Sequence, residues 1–204
     1  RLAGAELVEF NTMTDTELPE VDGLFIGGGF PETHMEALES NRSLRQAIYQ
    51  AIENGMPCYA ECGGLMYLTR TLSWGDKSAD MVGIIPADTV MHEKPQGRGY
   101  MQLIENGNSP WPSDDAPSNI NAHEFHYSTL NNLSPDQRFA YDVESGIIMD
   151  GRRDGMIYKN LLASYVHLRD VAGNHWTRRF VEFVREWHNS NKTPETDLQQ
   201  RYFS

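Results

Sequence analysis

The 204-residue chain is poor in cysteine, short of basic side chains, and has no long apolar run. Its two cysteines, Cys58 and Cys62, lie four residues apart. They are too few for a disulfide framework and lack the companions of a structural zinc site, so a reducing, cytoplasmic setting is expected. Lys and Arg number 17 against 29 Asp and Glu, giving a net charge of −12. A field of that sign repels phosphate, which argues against nucleic acid or an anionic membrane as a partner. No stretch approaches the roughly 20 apolar residues of a membrane span, and no secretory leader is expected. Neither G-x-G-x-x-G nor G-x-x-x-x-G-K-[ST] occurs, so no nucleotide-binding fingerprint is present. What remains is a globular chain, 39% hydrophobic, long enough to bury a full core. Its expected partner is a small molecule or another protein.

Residues 6–10 and 21–26 read as short β-rich runs separated by a polar loop, and the second ends at Gly27, Gly28 and Gly29. Between His34 and Asn54 the apolar residues Leu38, Leu44, Ile48 and Ile52 fall at helical spacing, with Gly55 and Pro57 as the stop. PCYAE, 57–61, follows as a strand. Strand, helix, strand is a βαβ unit, which predicts an α/β fold with a parallel sheet. GGLMYLTRTL reads as a second helix. MVGIIPADTVM, GYMQLIE, AHEFHYSTL and FAYDVE read as strands, and ENGNSPWPSDDAPSN as a loop. GMIYKNLLASYVHL reads as a hairpin or turn feeding a strand that ends near His167. TRRFVEFVREWH closes the ordered chain as a helix, and the residues from Asn189 onward read as a polar, loose tail.

Within PCYAECGGLMYL, Cys62 falls where a buried strand meets a helix, the geometry of a nucleophile elbow. The glycines after it allow the tight turn and leave the sulfur unshaded, and a helix N-terminus there favours thiolate over thiol. Cys58, inside the strand, reads as a small buried hydrophobe, the commoner fate of an intracellular cysteine. A nucleophilic cysteine needs a proton-handling partner. Of seven histidines, His167 ends a β-type run where open α/β sheets gather their sites. His175 and His188 look like surface residues beside the last helix, and His34 and His92 look solvated. His123 and His126, three apart, fall on opposite strand faces and do not match the His-Glu-x-x-His spacing, so no metal is expected. The glycines at 27–29 leave uncrowded backbone N–H groups suited to an oxyanion, although triple glycine alone is often only a turn. Cysteine elbow, late histidine and glycine-rich strand end together specify acyl transfer through a thioester.

Five segments in order, LPEVDGLFIGGGFPE, PCYAECGGLMYL, GRGYMQL, AHEFHYS and SYVHL, resemble the class I (triad-type) glutamine amidotransferases, and within them the cobyrinic acid a,c-diamide synthase branch. The resemblance implies a flavodoxin-like, mostly parallel sheet flanked by helices, over residues 1–190, with 191–204 as tail. It implies that Cys62 attacks the carboxamide of glutamine, that His167 activates it, and that Gly28, Gly29 and Gly63 hold the oxyanion and glutamine. Glu124, His126 and Tyr127 of AHEFHYS would lie at the pocket or at a domain interface.

The same resemblance implies no cofactor in this chain. ATP and Mg²⁺ would act in an N-terminal synthetase domain that carries the tetrapyrrole and receives the ammonia; a homodimer is left open. The chain, beginning at Arg1, reads as the C-terminal glutaminase part of a longer synthase of cobalamin biosynthesis. Many members carry a glutamate two residues after the histidine, where this chain has Arg169. That departure leaves open what orients His167; Glu61 reads as an elbow residue rather than the triad acid. Competing readings are the same chemistry serving a sirohaem or nickel-sirohydrochlorin amidase, a catalytically silent docking module, and a peptidase-like cysteine hydrolase.

Overall fold

The structure is a computed structural model that describes residues 2–114, 116, 118–145, 152–171 and 174–191. β1 (Leu24–Ile26) leads through a single 3₁₀ turn at Pro31–Thr33 into helices α1 (Met35–Ser40) and α2 (Arg42–Glu53), and these return the chain to β2 (Cys58–Glu61). The helical run expected from His34 to Asn54 is therefore broken at Asn41. The Asn41 side-chain amide donates to the carbonyls of Thr12 and Asp15 at 2.9 and 2.8 Å, and its oxygen accepts from Leu44 N as the cap of α2. The break is thus set by the polar N-terminal segment, a contact no local pattern announces. Leu44, Ile48 and Ile52 of α2 are fully buried on one face, and Gly55, at φ 88°, ends the helix.

After β2 comes α3 (Gly63–Leu68), then β3 (Thr69–Trp74), β4 (Lys77–Asp80) and β5 (Ile85–Met91). The helix expected through GGLMYLTRTL stops at Leu68 because Thr69 turns extended (ψ 173°) and its hydroxyl donates to Met66 O at 2.7 Å. The chain continues through β6 (Gly97–Glu105), β7 (Ser118–His126), β8 (Ser128–Asn131), β9 (Arg138–Ser145), β10 (Arg153–Tyr158), β11 (Leu161–Ser164), β12 (His167–Leu168) and α4 (Trp176–Asn191). Helix α4 carries the chain past the expected start of the tail: Ser190 Oγ and Asn191 Nδ2 donate to the carbonyls of Glu186 and Trp187, both at 2.8 Å. The remainder of that tail, 192–204, lies outside the described residues. Residues 6–10 form no strand; Leu7 and Val8 stand exposed and only Phe10 packs on the core.

The large sheet has the order β1-β2-β11-β10-β9-β6-β7-β12, and β4-β3-β5-β8 form a smaller one. β1, β2 and β11 are parallel neighbours, as the βαβ unit predicts. Beyond them the pairings in the large sheet are antiparallel, so parallel pairing extends less far than expected. The cause is connection length: α1 and α2 make a crossover, whereas turns such as Lys159–Asn160 can join only antiparallel strands. β2 is buried on both sides. Cys58 and Ala60 face the cluster containing the α2 residues Leu44, Ile48 and Ile52, and Tyr59 faces the one containing Trp176 and Phe180 of α4. Only Tyr165 and Val166 separate β11 from β12, yet β12 pairs with β7 at the far edge. The sheet therefore curls until that edge meets the C-terminal ends of β2 and β11, where Leu168 N donates to Glu61 Oε1 at 3.2 Å.

Candidate active site

The three parallel strands end side by side, with Ile26 opposite Ala60 and Ser164 opposite Glu61. The glycine segment leaves β1 there, Cys62 leaves β2, and the segment leading to His167 leaves β11. Cys62 has φ 47° and ψ −105°, a left-handed backbone that non-glycine residues seldom adopt, and it is the residue before the first turn of α3. Its backbone N–H donates to Ser164 O at 2.7 Å, locking the elbow to β11. Gly63 and Gly64 are obligatory for packing: a Cβ at Gly63 would stand 2.7 Å from Gly29 N, and one at Gly64 would stand 2.8 Å from the Ile26 carbonyl carbon. At Gly28 an added Cβ would lie 3.1 Å from His167 Cε1 and 3.9 Å from Cys62 Cβ. Cys62, His167, Gly28, Gly29 and Gly63 are thus brought to one place.

The His167 ring is raised to a pKa of about 10, first by its hydrogen bond to the Cys62 side chain, then by Glu61, against the opposing effect of burial. Glu61 Oε2 lies 3.5 Å from His167 Nδ1, while Oε1 accepts from Tyr59 OH at 2.7 Å and from Leu168 N. Glu61 is therefore in contact with the histidine, against the expectation that it serves only the elbow. The signal available in the sequence was a carboxylate at the end of a strand buried on both faces, which requires partners.

From β7, His123 sits against His167, ring centroids 5.2 Å apart, and burial and the His167 charge lower its pKa. Cys62 Sγ donates weakly to Phe125 O at 3.8 Å. The AHEFHYS segment thus reaches the nucleophile, but through different residues from those expected. Glu124 and His126 are buried on the opposite face of β7, where His126 stacks on Tyr165 at 3.9 Å, and half-buried Tyr127 packs its ring edge to face with Phe125. Strand alternation, which sends 123 and 125 one way and 124 and 126 the other, is the reason.

Asp154, fully buried, holds the approach to His167: it accepts from Tyr165 N at 3.3 Å and Val166 N at 3.2 Å, and from Gly155 N at 2.6 Å. Burial raises its carboxyl to about 7. His34 is exposed, His175 and His188 pair with Asp170 and Asp22 beside α4, and His92 is half-buried with Nε2 2.9 Å from Thr129 Oγ1 rather than solvated. Cys58 is fully buried and its thiol is pushed far up by burial. Among the described residues no cluster of three His, Cys, Asp or Glu side chains is placed to hold a metal, and no helix is long and apolar enough to cross a membrane.

An arrangement of cysteine on a strained elbow, adjoining imidazole and close-packed glycine segments can form and break an acyl thioester. Residues 1–173 match the profile of the CobB/CobQ-like glutamine amidotransferase domain. The chain is 46% identical, over 91% of its length, to a cobyrinate a,c-diamide synthase of Magnetococcus marinus, and 44% identical, over 87%, to one of Archaeoglobus fulgidus. It spans 39% and 38% of those two relatives, about two-fifths of their length. Among solved structures, PurLQS from Thermotoga maritima superposes with a TM-score of 0.62 at 14% identity, over 86% of this chain and 84% of that one. A glutamine amidotransferase superposes with 0.57 at 13% identity, over 81% and 80%. At such identities the likeness concerns the fold alone: α/β, of the class I glutamine amidotransferase type.

Proposed function

The chain belongs to the CobB/CobQ-like glutamine amidotransferase domain family, and on that premise we propose that it hydrolyses glutamine to supply ammonia. The observation that carries this reading is the positive-φ elbow of Cys62 packed between His167 and the Gly28–Gly29 segment. The Cys62 thiol gives its proton to His167, and its sulfur forms a bond to the side-chain amide carbon of glutamine. The resulting oxyanion is held by backbone N–H groups of Gly28, Gly29 and Gly63, each donor contributing about 3 to 4 kcal/mol if it acts as oxyanion-hole donors generally do. The C–N bond breaks as His167 returns the proton, releasing ammonia and leaving the γ-glutamyl thioester. Water, deprotonated by His167, adds to that thioester; the C–S bond breaks, glutamate leaves, and the thiol regains its proton.

Because the chain spans about two-fifths of its relatives, the ammonia is proposed to serve a synthetase portion outside this sequence. The relatives' names support a tetrapyrrole carboxylate as acceptor, as in cobyrinate a,c-diamide formation in cobalamin biosynthesis, with ATP and Mg²⁺ used in that portion and no cofactor in this one. Two free cysteines accord with a reducing cytoplasm. The test is a glutamine-analogue diazo-ketone followed by peptide mass mapping. One adduct at Cys62 is expected; an adduct elsewhere contradicts the reading.

A further inference from the structure

Glu61 is a carboxylate on a strand whose residues are all buried, and it is itself only 8% exposed. Such a charge is costly without partners, and its partners here are divided. Oε1 is taken by Tyr59 OH and Leu168 N, at 2.7 and 3.2 Å, and Oε2 faces His167 Nδ1 at 3.5 Å, within ion-pair range though longer than an optimal hydrogen bond. One carboxylate therefore grips the backbone just after the histidine and the histidine ring together. The groups facing that ring are Glu61 from β2, Cys62 from the elbow and His123 from β7, and the carboxylate among them is Glu61. Arg169, two residues beyond His167, is exposed.

We propose that Glu61, the residue immediately before the nucleophile, is the positioning residue of His167, completing a Cys62-His167-Glu61 triad from the elbow strand itself. The inference rests on the glutaminase reading above and deepens it. Oε2 accepts from Nδ1–H whether the ring is neutral or charged, which leaves Nε2 as the nitrogen that takes and returns the proton of the thiol. Tyr59 and Leu168 hold Oε1, so the carboxylate cannot rotate away.

Glutamine at position 61 reverses this logic. With its oxygen kept by Tyr59 and Leu168, its amide N–H groups face Nδ1. A neutral ring must then carry its proton on Nε2, where it cannot accept from the thiol, and a charged ring meets donor with donor. In the 204-residue chain, assayed with the synthetase portion of a full-length relative added, Glu61→Gln is expected to lower kcat for glutamine hydrolysis about 100-fold or more, by analogy with other triads. KM should stay within about threefold, because no substrate contact is lost. The NMR titration of the His167 imidazole should move to lower pH by about one unit or more, the usual effect of losing a neighbouring opposite charge.

Unchanged kcat, or a loss of kcat with the His167 titration unmoved, overturns the proposal. Should Glu61→Gln not fold, Tyr59→Phe decides: it removes one anchor of Oε1, and a several-fold lower kcat at unchanged KM supports the proposal while unchanged kcat overturns it. The two readings fail separately. Retained hydrolysis in Cys62→Ala removes the glutaminase mechanism, whereas loss in Cys62→Ala with no effect of Glu61→Gln removes only the role of Glu61.

Discussion

A Cβ at Gly63 would collide with the carbonyl oxygen of Gly29 and stand 2.7 Å from its nitrogen. The elbow after β2 and the glycine segment after β1 are therefore one packed unit, in which each backbone shapes the other. The two motifs that stand out in the sequence do so for a single steric reason.

Gly63→Ala should accordingly destabilise the chain by about 1 to 3 kcal/mol, the usual cost of overpacking a close contact, and depress glutamine hydrolysis with it. Gly29→Ala meets nothing within 4 Å, so its stability should stay within about 0.5 kcal/mol of the parent. Urea unfolding of the two variants measures the contrast; equal stabilities would mean that the packing of Gly63 on Gly29 is not constraining.

The two cysteines should differ sharply in reactivity. Cys58 is fully buried, with its thiol held protonated by burial, whereas Cys62 sits at the elbow beside His167. Brief iodoacetamide treatment of the native chain followed by mass mapping should modify Cys62 and leave Cys58 intact. Modification of Cys58 at a comparable rate would contradict the placement of β2 in the core.

Asp154 ties stability to pH. Its ordinary value near 3.8 is raised to about 7 by burial, in spite of three backbone N–H partners that favour the charged form. A carboxyl raised on folding contributes stability that is complete below about pH 3.8 and is lost as pH rises through about 7. Asp154→Asn cannot accept from Val166 N with its amide nitrogen, so it should cost about 1 to 3 kcal/mol for the donor left unpaired. The difference between parent and variant, measured by urea unfolding at pH 4.5 and pH 7.5, should be larger at the lower pH; the opposite order would contradict the assignment.

Much of the site was legible because its signals are local. The glycines at 27–29, the Glu-Cys-Gly-Gly elbow and the β-type run ending at His167 each follow from steric demands on a few adjacent residues, and the parallel order of β1, β2 and β11 brings them together. The role of Glu61 was not legible. Its meeting with His167 depends on the curl that returns β12 to the end of β2, a relationship between positions 106 apart in sequence. Register decides the same question on β7, where Phe125 and His123 face the site and Glu124 and His126 do not. The break at Asn41 is not legible for a like reason, since it is set by a distant chain segment.

The most direct test is glutamate release from glutamine by the parent chain and by Cys62→Ala, assayed alone and with the synthetase portion of a full-length relative added. Hydrolysis by the parent is expected under at least the second condition, and none above the uncatalysed background by Cys62→Ala under either. Hydrolysis by Cys62→Ala at the parental rate would contradict the role of Cys62.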